Sequence, residues 1–181
     1  AAENAAAATT GAVVASADSV PVTFVSATIP VANQFLDRSG FGVDMFISRE
    51  VLPAHAFKRE QLALAGSGSS GEPEGFLTVS GTVATTYDDA MPTADELVSK
   101  VGAAATATQA ARGLPPDTVV MHPRRWFWLL GSAPNAAAVS SKPRPGAHPS
   151  IVGDIDGLDV VTSAGVPTSF GASTNEDRII V

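Results

Sequence analysis

Arg59-Glu60-Gln61-Leu62-Ala63-Leu64-Ala65-Gly66-Ser67-Gly68-Ser69-Ser70-Gly71-Glu72-Pro73-Glu74-Gly75-Phe76 is where helical patterning gives way to turn chemistry. Upstream, Val43, Phe46, Ile47, Val51, Ala54, Phe57, Leu62 and Ala65 recur at near-helical spacing, with Gln61 on the same stripe. This predicts a helix of about 23 residues, a rod of roughly 35 Å at 1.5 Å per residue. Pro53 lies inside it and predicts a kink or a restart, because proline lacks the amide the helix needs. Gly66 is the natural stop. Gly66–Gly75 then reads as a turn-rich loop, and Phe76–Thr86 as strand-like sequence able to form a hairpin about Gly81.

Toward the amino terminus, residues 1–20 are Ala, Thr, Ser and Val with little pattern, which suits an extended arm. Val20–Val31 is β-branched and partly alternating, and its prolines place it at a sheet edge or on an exposed arm. Toward the carboxy terminus, Thr93-Ala94-Asp95-Glu96 is a capping box ahead of Leu97, Val98, Val101 and Ala105. It opens a second helix that should close near Arg112 with Gly113 and Pro115-Pro116. Thr118–Met121 reads as a short buried strand. His122-Pro123 opens a short helix carrying the densest apolar cluster, Trp126 through Leu130. Residues 131–150 form a long Pro/Ala/Ser/Gly loop, and Leu158–Thr162 and Arg178–Val181 are the last strands expected. The sum is a mixed α/β (α+β) domain approached by a long arm and a long helix.

Composition narrows the function. Of 181 residues, 45% are hydrophobic but only 6% aromatic, and much of the apolar count is alanine. Such a core gains little burial per residue, so neighbouring subunits are expected to supply part of the stability. Cysteine is absent, which excludes disulfides, thiol nucleophiles and cysteine-based zinc sites. No apolar run approaches the roughly 20 residues of a membrane span, and the Ala-rich start beside Glu3 lacks the basic region of a signal peptide. A net charge of −7, with lysine only at Lys58, Lys100 and Lys142, argues against holding nucleic acid through clustered cations.

The motifs that could carry chemistry lack their context. Gly66-Ser67-Gly68-Ser69-Ser70-Gly71 matches a dinucleotide-binding pattern, which would make the chain a small nucleotide-dependent enzyme. Yet the loop follows a helix rather than a strand, and Glu72 and Glu74 would repel phosphate. His55, His122 and His148 show no metal-ligand spacing; His122 suits a cap on the short helix. Asp88-Asp89, Asp95-Glu96, Asp154, Asp156, Asp159 and Glu176-Asp177 fall where turns and helix starts explain them, and no pair is singled out for a glycosidase. No nucleophile elbow occurs. Arg124-Arg125 beside Trp126 and Trp128 could form a base-stacking platform, but the apolar run favours a packed helix with the arginines on its exposed side. No catalytic, cofactor-binding or metal-binding residue is therefore assigned.

The order of elements resembles the major capsid proteins of tailed phages with the Hong Kong 97 fold. Four stretches carry the resemblance: the arm ending Asn33-Gln34-Phe35-Leu36-Asp37; the helix end and glycine turn from Arg59 to Phe76; Val119-Val120-Met121-His122-Pro123-Arg124-Arg125-Trp126; and Gly157-Leu158-Asp159-Val160-Val161. The glycine turn keeps the family's spacing with serine in variable places, and His122 replaces the usual asparagine.

The resemblance implies residues 1–37 as arm and second half of an extended loop, 38–79 as a peripheral domain with its spine helix, and 80–181 as an axial domain. It implies hexamers and pentamers that close into an icosahedral shell around double-stranded DNA, assembled in a bacterial cytoplasm. Scaffold, portal and decoration proteins would be its partners. DNA would be enclosed without sequence-specific binding, and no membrane would be involved. An encapsulin-like nanocompartment around enzyme cargo is the alternative. The chain lacks the family's amino-terminal arm and stops at Val181, where further peripheral strands are expected, as a fragment of a longer subunit would. No lysine precedes Lys58, so cross-linking is not carried over.

Overall fold

The structure is a computed structural model and describes residues 22–26, 28, 30–34, 42–86, 91–132, 138–143, 145–170 and 176–181. The expected arm over 1–20, Phe35-Leu36-Asp37, Asp88-Asp89 and part of the 131–150 loop lie outside them.

Helix α1 spans Val43–Ala65 and runs through Pro53 without restarting. The missing proline amide removes only the bond to the Arg49 carbonyl. At its start, the Gly42 carbonyl accepts from the Met45 and Phe46 amides at 3.1 and 3.3 Å. Its end is more elaborate. Gly66 stops the helix in an extended conformation (φ −58°, ψ 143°), donating its amide to the Leu62 carbonyl at 2.9 Å. Glycine is required here by crowding, since the chain doubles back across the helix end. A Cβ on Gly66 would lie 2.1 Å from the Pro73 carbonyl oxygen, and one on Gly75 would lie 2.5 Å from the Gly66 nitrogen.

The returning chain caps the helix. Phe76 and Leu77 donate their amides to the Ala63 and Leu64 carbonyls at 3.0 and 2.9 Å, satisfying acceptors that a helix end otherwise leaves orphaned. Thr78 locks the return, accepting the Gly75 amide at 2.9 Å while its hydroxyl lies 2.6 Å from the Gly66 carbonyl oxygen. This corrects the expected Phe76–Thr86 hairpin. Residues 76–78 and 80–81 are turns, residues 82–86 have no regular structure, and the amides at 76 and 77 are committed to α1. Of the sheet edge and the exposed arm expected for Val20–Val31, the described residues fit the arm. They join no sheet, and Phe24 is 92% exposed.

Helix α2, Ala94–Arg112, begins with the expected capping box. The Thr93 amide donates to Glu96 Oε2 at 2.6 Å, and the Glu96 amide returns to Thr93 Oγ1 at 3.4 Å. Gly113 ends it in the left-handed conformation. Strand β1 (Thr118–Met121) and helix α3 (Pro123–Ser132) follow where the sequence placed them. The loop expected over 131–150 holds a two-residue strand, β2 (Val139–Ser140). Immediately after it comes an unforeseen strand, β3 (Ile151–Ile155), which forms a hairpin with β4 (Leu158–Thr162) about Asp156-Gly157. Both turn residues have positive φ, 47° and 84°, as the twist of a two-residue hairpin demands.

The sheet has the order β1-β4-β3-β2. β1 is parallel to β4, and the other pairs are antiparallel. Of the expected strand Arg178–Val181, Ile180 alone pairs, exchanging both backbone bonds with Val120 at 2.8 and 2.9 Å on the outer edge of β1. Asp154 and Asp159, expected in turns, stand opposite each other on β3 and β4.

Leu97 and Val101 of α2 join Val119, Met121, Trp126, Leu129, Val139, Ile155 and Val160 in the core. The bulge between Ile151 and Gly153 brings the Gly153 backbone under the Trp126 ring, where a Cβ would lie 2.6 Å from the indole and 2.2 Å from the Ser140 carbonyl oxygen. Gly153→Ala is expected to destabilise the chain by about 3 kcal/mol, the scale of core overpacking. Gly102→Ala, in open space within α2, should instead stabilise it by about 0.5–1 kcal/mol. Urea unfolding of both variants beside the parent checks the pair of opposite signs.

Candidate assembly surface

Two sites that could have carried chemistry are filled by the chain itself. In the Gly66–Gly71 loop, an incoming anion would meet the carboxylate of Glu72. Glu72 Oε2 already accepts the Ser67 hydroxyl at 2.9 Å and the Ser67 amide at 3.3 Å. Those bonds, the hydroxyl first, hold its pKa below the ordinary value of 4.5. The loop, with positive φ at Gly68, Ser70 and Gly71, thus closes through Ser67 on a carboxylate of its own chain.

Arg124 and Arg125 both close on Asp177, whose side chain is 2% exposed. Arg124 forms a bidentate pair through Nε and its terminal nitrogen, and the contact raises its pKa. Arg125 donates from Nε at 3.1 Å, and its guanidinium stacks 5.1 Å from the Trp128 ring centre. The arginines stand on the outer side of α3, as expected, Arg124 with 45% of its side chain exposed, and from there both reach Asp177 to neutralise a buried charge. Trp126 is buried in the core, so bases cannot stack on it. The sequence offers no local signal of the pairing, because 52 and 53 residues separate its members.

The histidines are dispersed. His122 Nδ1 accepts the Arg124 amide at 3.1 Å and caps α3, while His148 Nδ1 meets the Ser150 hydroxyl at 2.8 Å. Among the described residues, no group of three or more His, Cys, Asp or Glu could hold a metal ion, and no helix is long and apolar enough to cross a membrane. An open cleft of about 410 Å³ lies between the last turns of α1 and residues 164–169, with Lys58, Gln61, Glu72 and His122 in its walls. Its ionisable groups are one cation, one carboxylate already engaged by Ser67, and one imidazole whose Nδ1 is engaged by α3. That set has no nucleophile paired with a base.

What the molecule does present is apolar surface. Val43 is the only buried residue of α1. Met45 and Leu52, seven residues apart and so on one face, are 72% and 69% exposed, and Phe57 is 41% exposed. Val22 and Phe24 stand out on the arm, Phe76 and Val83 beyond the helix end, and Phe127 on α3. Isolated apolar side chains on a surface are ordinary, but Met45 and Leu52 share one face of a helix whose single buried residue is Val43.

The class of this chain is that of phage capsid proteins, which are structural. Residues 1–181 match the model of the phage capsid family, and the chain belongs to that family. It is a capsid protein, a structural component of the virion. No curated protein matches it.

Two outcomes follow for the polar groups. Asp177→Asn should cost about 2 kcal/mol in thermal or urea unfolding, less than a fully buried pair because both arginines can turn toward water. Glu72 has a folded pKa below its unfolded one, so its contribution is present above the unfolded value and lost as pH falls through the lowered one. Hydrogen exchange at the Ser67 amide should therefore show an added acid-side increase in protection loss that Glu72→Gln abolishes.

Proposed function

We propose that this capsid protein is the major shell subunit of a tailed phage or prophage, built on the Hong Kong 97 fold. Copies associate as pentamers and hexamers and close into an icosahedral container for double-stranded DNA. The observation that carries the reading is α1, a 23-residue helix with one buried residue and large apolar side chains along its length. A monomer gains nothing by exposing that surface, whereas a ring of identical copies covers it. A ring contact is heterologous, one face of a subunit meeting a different face of the next, so the covering surface need not resemble α1.

In this reading α1 is the spine of a peripheral domain over residues 38–79, residues 1–37 belong to the arm and extended loop, and residues 80–181 form the axial domain around the sheet. The arm segment Val20–Val31 lies across a neighbour, where Val22 and Phe24 find cover. No residue acts as a catalyst, and no cofactor or metal takes part. Assembly occurs in the bacterial cytoplasm, with scaffold, portal and decoration proteins as further partners, and DNA is enclosed rather than read. The family match and the acidic charge of −7 support enclosure without tight binding.

Expression of the full-length subunit followed by negative-stain electron microscopy tests the proposal. Closed particles are expected from the parent. Paired Phe24→Asp and Leu52→Asp substitutions should leave a folded subunit, by circular dichroism, that sediments as small species. Particles of unchanged yield from that variant would remove the assigned surface, and a persistent monomeric parent would remove the shell itself. Packaged DNA in particles from infected cells supports the virion reading, and a consistent protein cargo would replace it with an encapsulin-like compartment.

A further inference from the structure

The segment 176–181 touches Phe170, the first turn of α3, the edge of β1 and the turn that follows α1. Glu176 exchanges backbone bonds with Phe170 at 3.0 and 3.1 Å, closing a loop. Asp177 is clamped by the two arginines of α3. Ile180 pairs with Val120 on the edge of β1. Between these anchors, Arg178 lays its guanidinium 4.0 Å from the Phe170 ring centre and donates from a terminal nitrogen to the Leu77 carbonyl at 3.0 Å. Leu77 in turn donates its amide to the Leu64 carbonyl, the last turn of α1.

We propose that residues 176–181 form a strap, and that Arg178 is the positioning residue that fixes the angle at which α1 leaves the α+β body. The helix has little else to hold it there. Val43 is its one buried residue, and its last turns face residues 164–169 across an open cleft, where a Cβ on Gly165 would lie 3.2 Å from Glu60 Cγ and 3.4 Å from the Gln61 nitrogen. The turn at Gly165 resists approach but offers no directional bond. Arg178 supplies the direction, because stacking on Phe170 fixes the plane of the guanidinium and the Leu77 carbonyl then has one place to be. Asp177 makes the strap stiff, since its buried carboxylate cannot slide without leaving both arginines. The strap thus links the turn after α1 to the sheet across a sequence separation of 101 between Leu77 and Arg178.

The test compares the full chain with Arg178→Ala and Arg178→Lys, using two readouts. In native-state hydrogen exchange, Arg178→Ala should speed the Phe76 and Leu77 amides about tenfold, the scale of one charge-assisted bond at a partly exposed site, while the β1 amides keep their rate. Spin labels on Leu52→Cys and Ala103→Cys, placed in a chain with no native cysteine, should give a broader distance distribution in the alanine variant. Arg178→Lys keeps a donor but not the planar stack, so it should fall between the two. Unchanged exchange at 76 and 77 would overturn the proposal, as would an unbroadened distribution. Faster exchange at β1 in the same proportion would overturn it too, because Arg178 would then be supporting the whole fold rather than one angle.

Discussion

A helix with one buried side chain is held weakly along its flanks, and α1 is tied by directional bonds at its end. The constraint on which this depends is the crossing of two backbone segments at Gly66 and Gly75, too close for a side chain on either. The crossing turns the chain back so that the amides of 76 and 77 reach carbonyls on the last turn of α1. Without it those acceptors would need water, and the loop would have no reason to lie against the helix. The carbonyl of Leu77 that receives Arg178 is carried by this return.

The body follows another economy. Aromatic residues are 6% of the chain, and one of the few, Trp126, fills the space between α3 and the sheet. It can do so because the β3 bulge presents Gly153 to its ring. A large side chain over a missing one gives close contact without many large residues. Around it the polar groups are spoken for: Glu72 by Ser67, Asp177 by two arginines, His122 by the start of α3. Side chains already bound to one another are poor material for a reactive cleft, and the apolar residues left outside are suited to association.

Elements written in local chemistry were legible. The capping box at Thr93, the glycine after Arg112, the proline opening α3 and the spacing along α1 each rest on contacts a few residues apart, and each stands where expected. Elements decided by distant partners were not. Phe76–Thr86 has strand-like composition, but its first amides are taken by α1, and Arg178–Val181 keeps a single pair because Asp177 and Arg178 are drawn to other partners. Strand β3 was missed although Asp156-Gly157 between β-branched residues is a hairpin signal; its aspartates were read as turn formers, whereas Asp154 lies in the ladder. The surface was legible only as a resemblance, since exposure of α1 is a statement about what does not pack on it. No spacing of apolar residues distinguishes a face turned to the core from one turned to a neighbour.

The two margins of the sheet differ from the strands between them. Among the described residues, a lone pair at Ile180 covers β1 on one side, and on the other the outermost strand, β2, is two residues long. Exposed backbone of greater length would let any two copies zip together in whatever register they met, and the products would be fibres or clumps. Blunt margins leave side-chain shape as the means of recognition between subunits, which is selective where backbone pairing is not. A polypeptide that must crowd against its own kind is thereby kept from joining them in the wrong way.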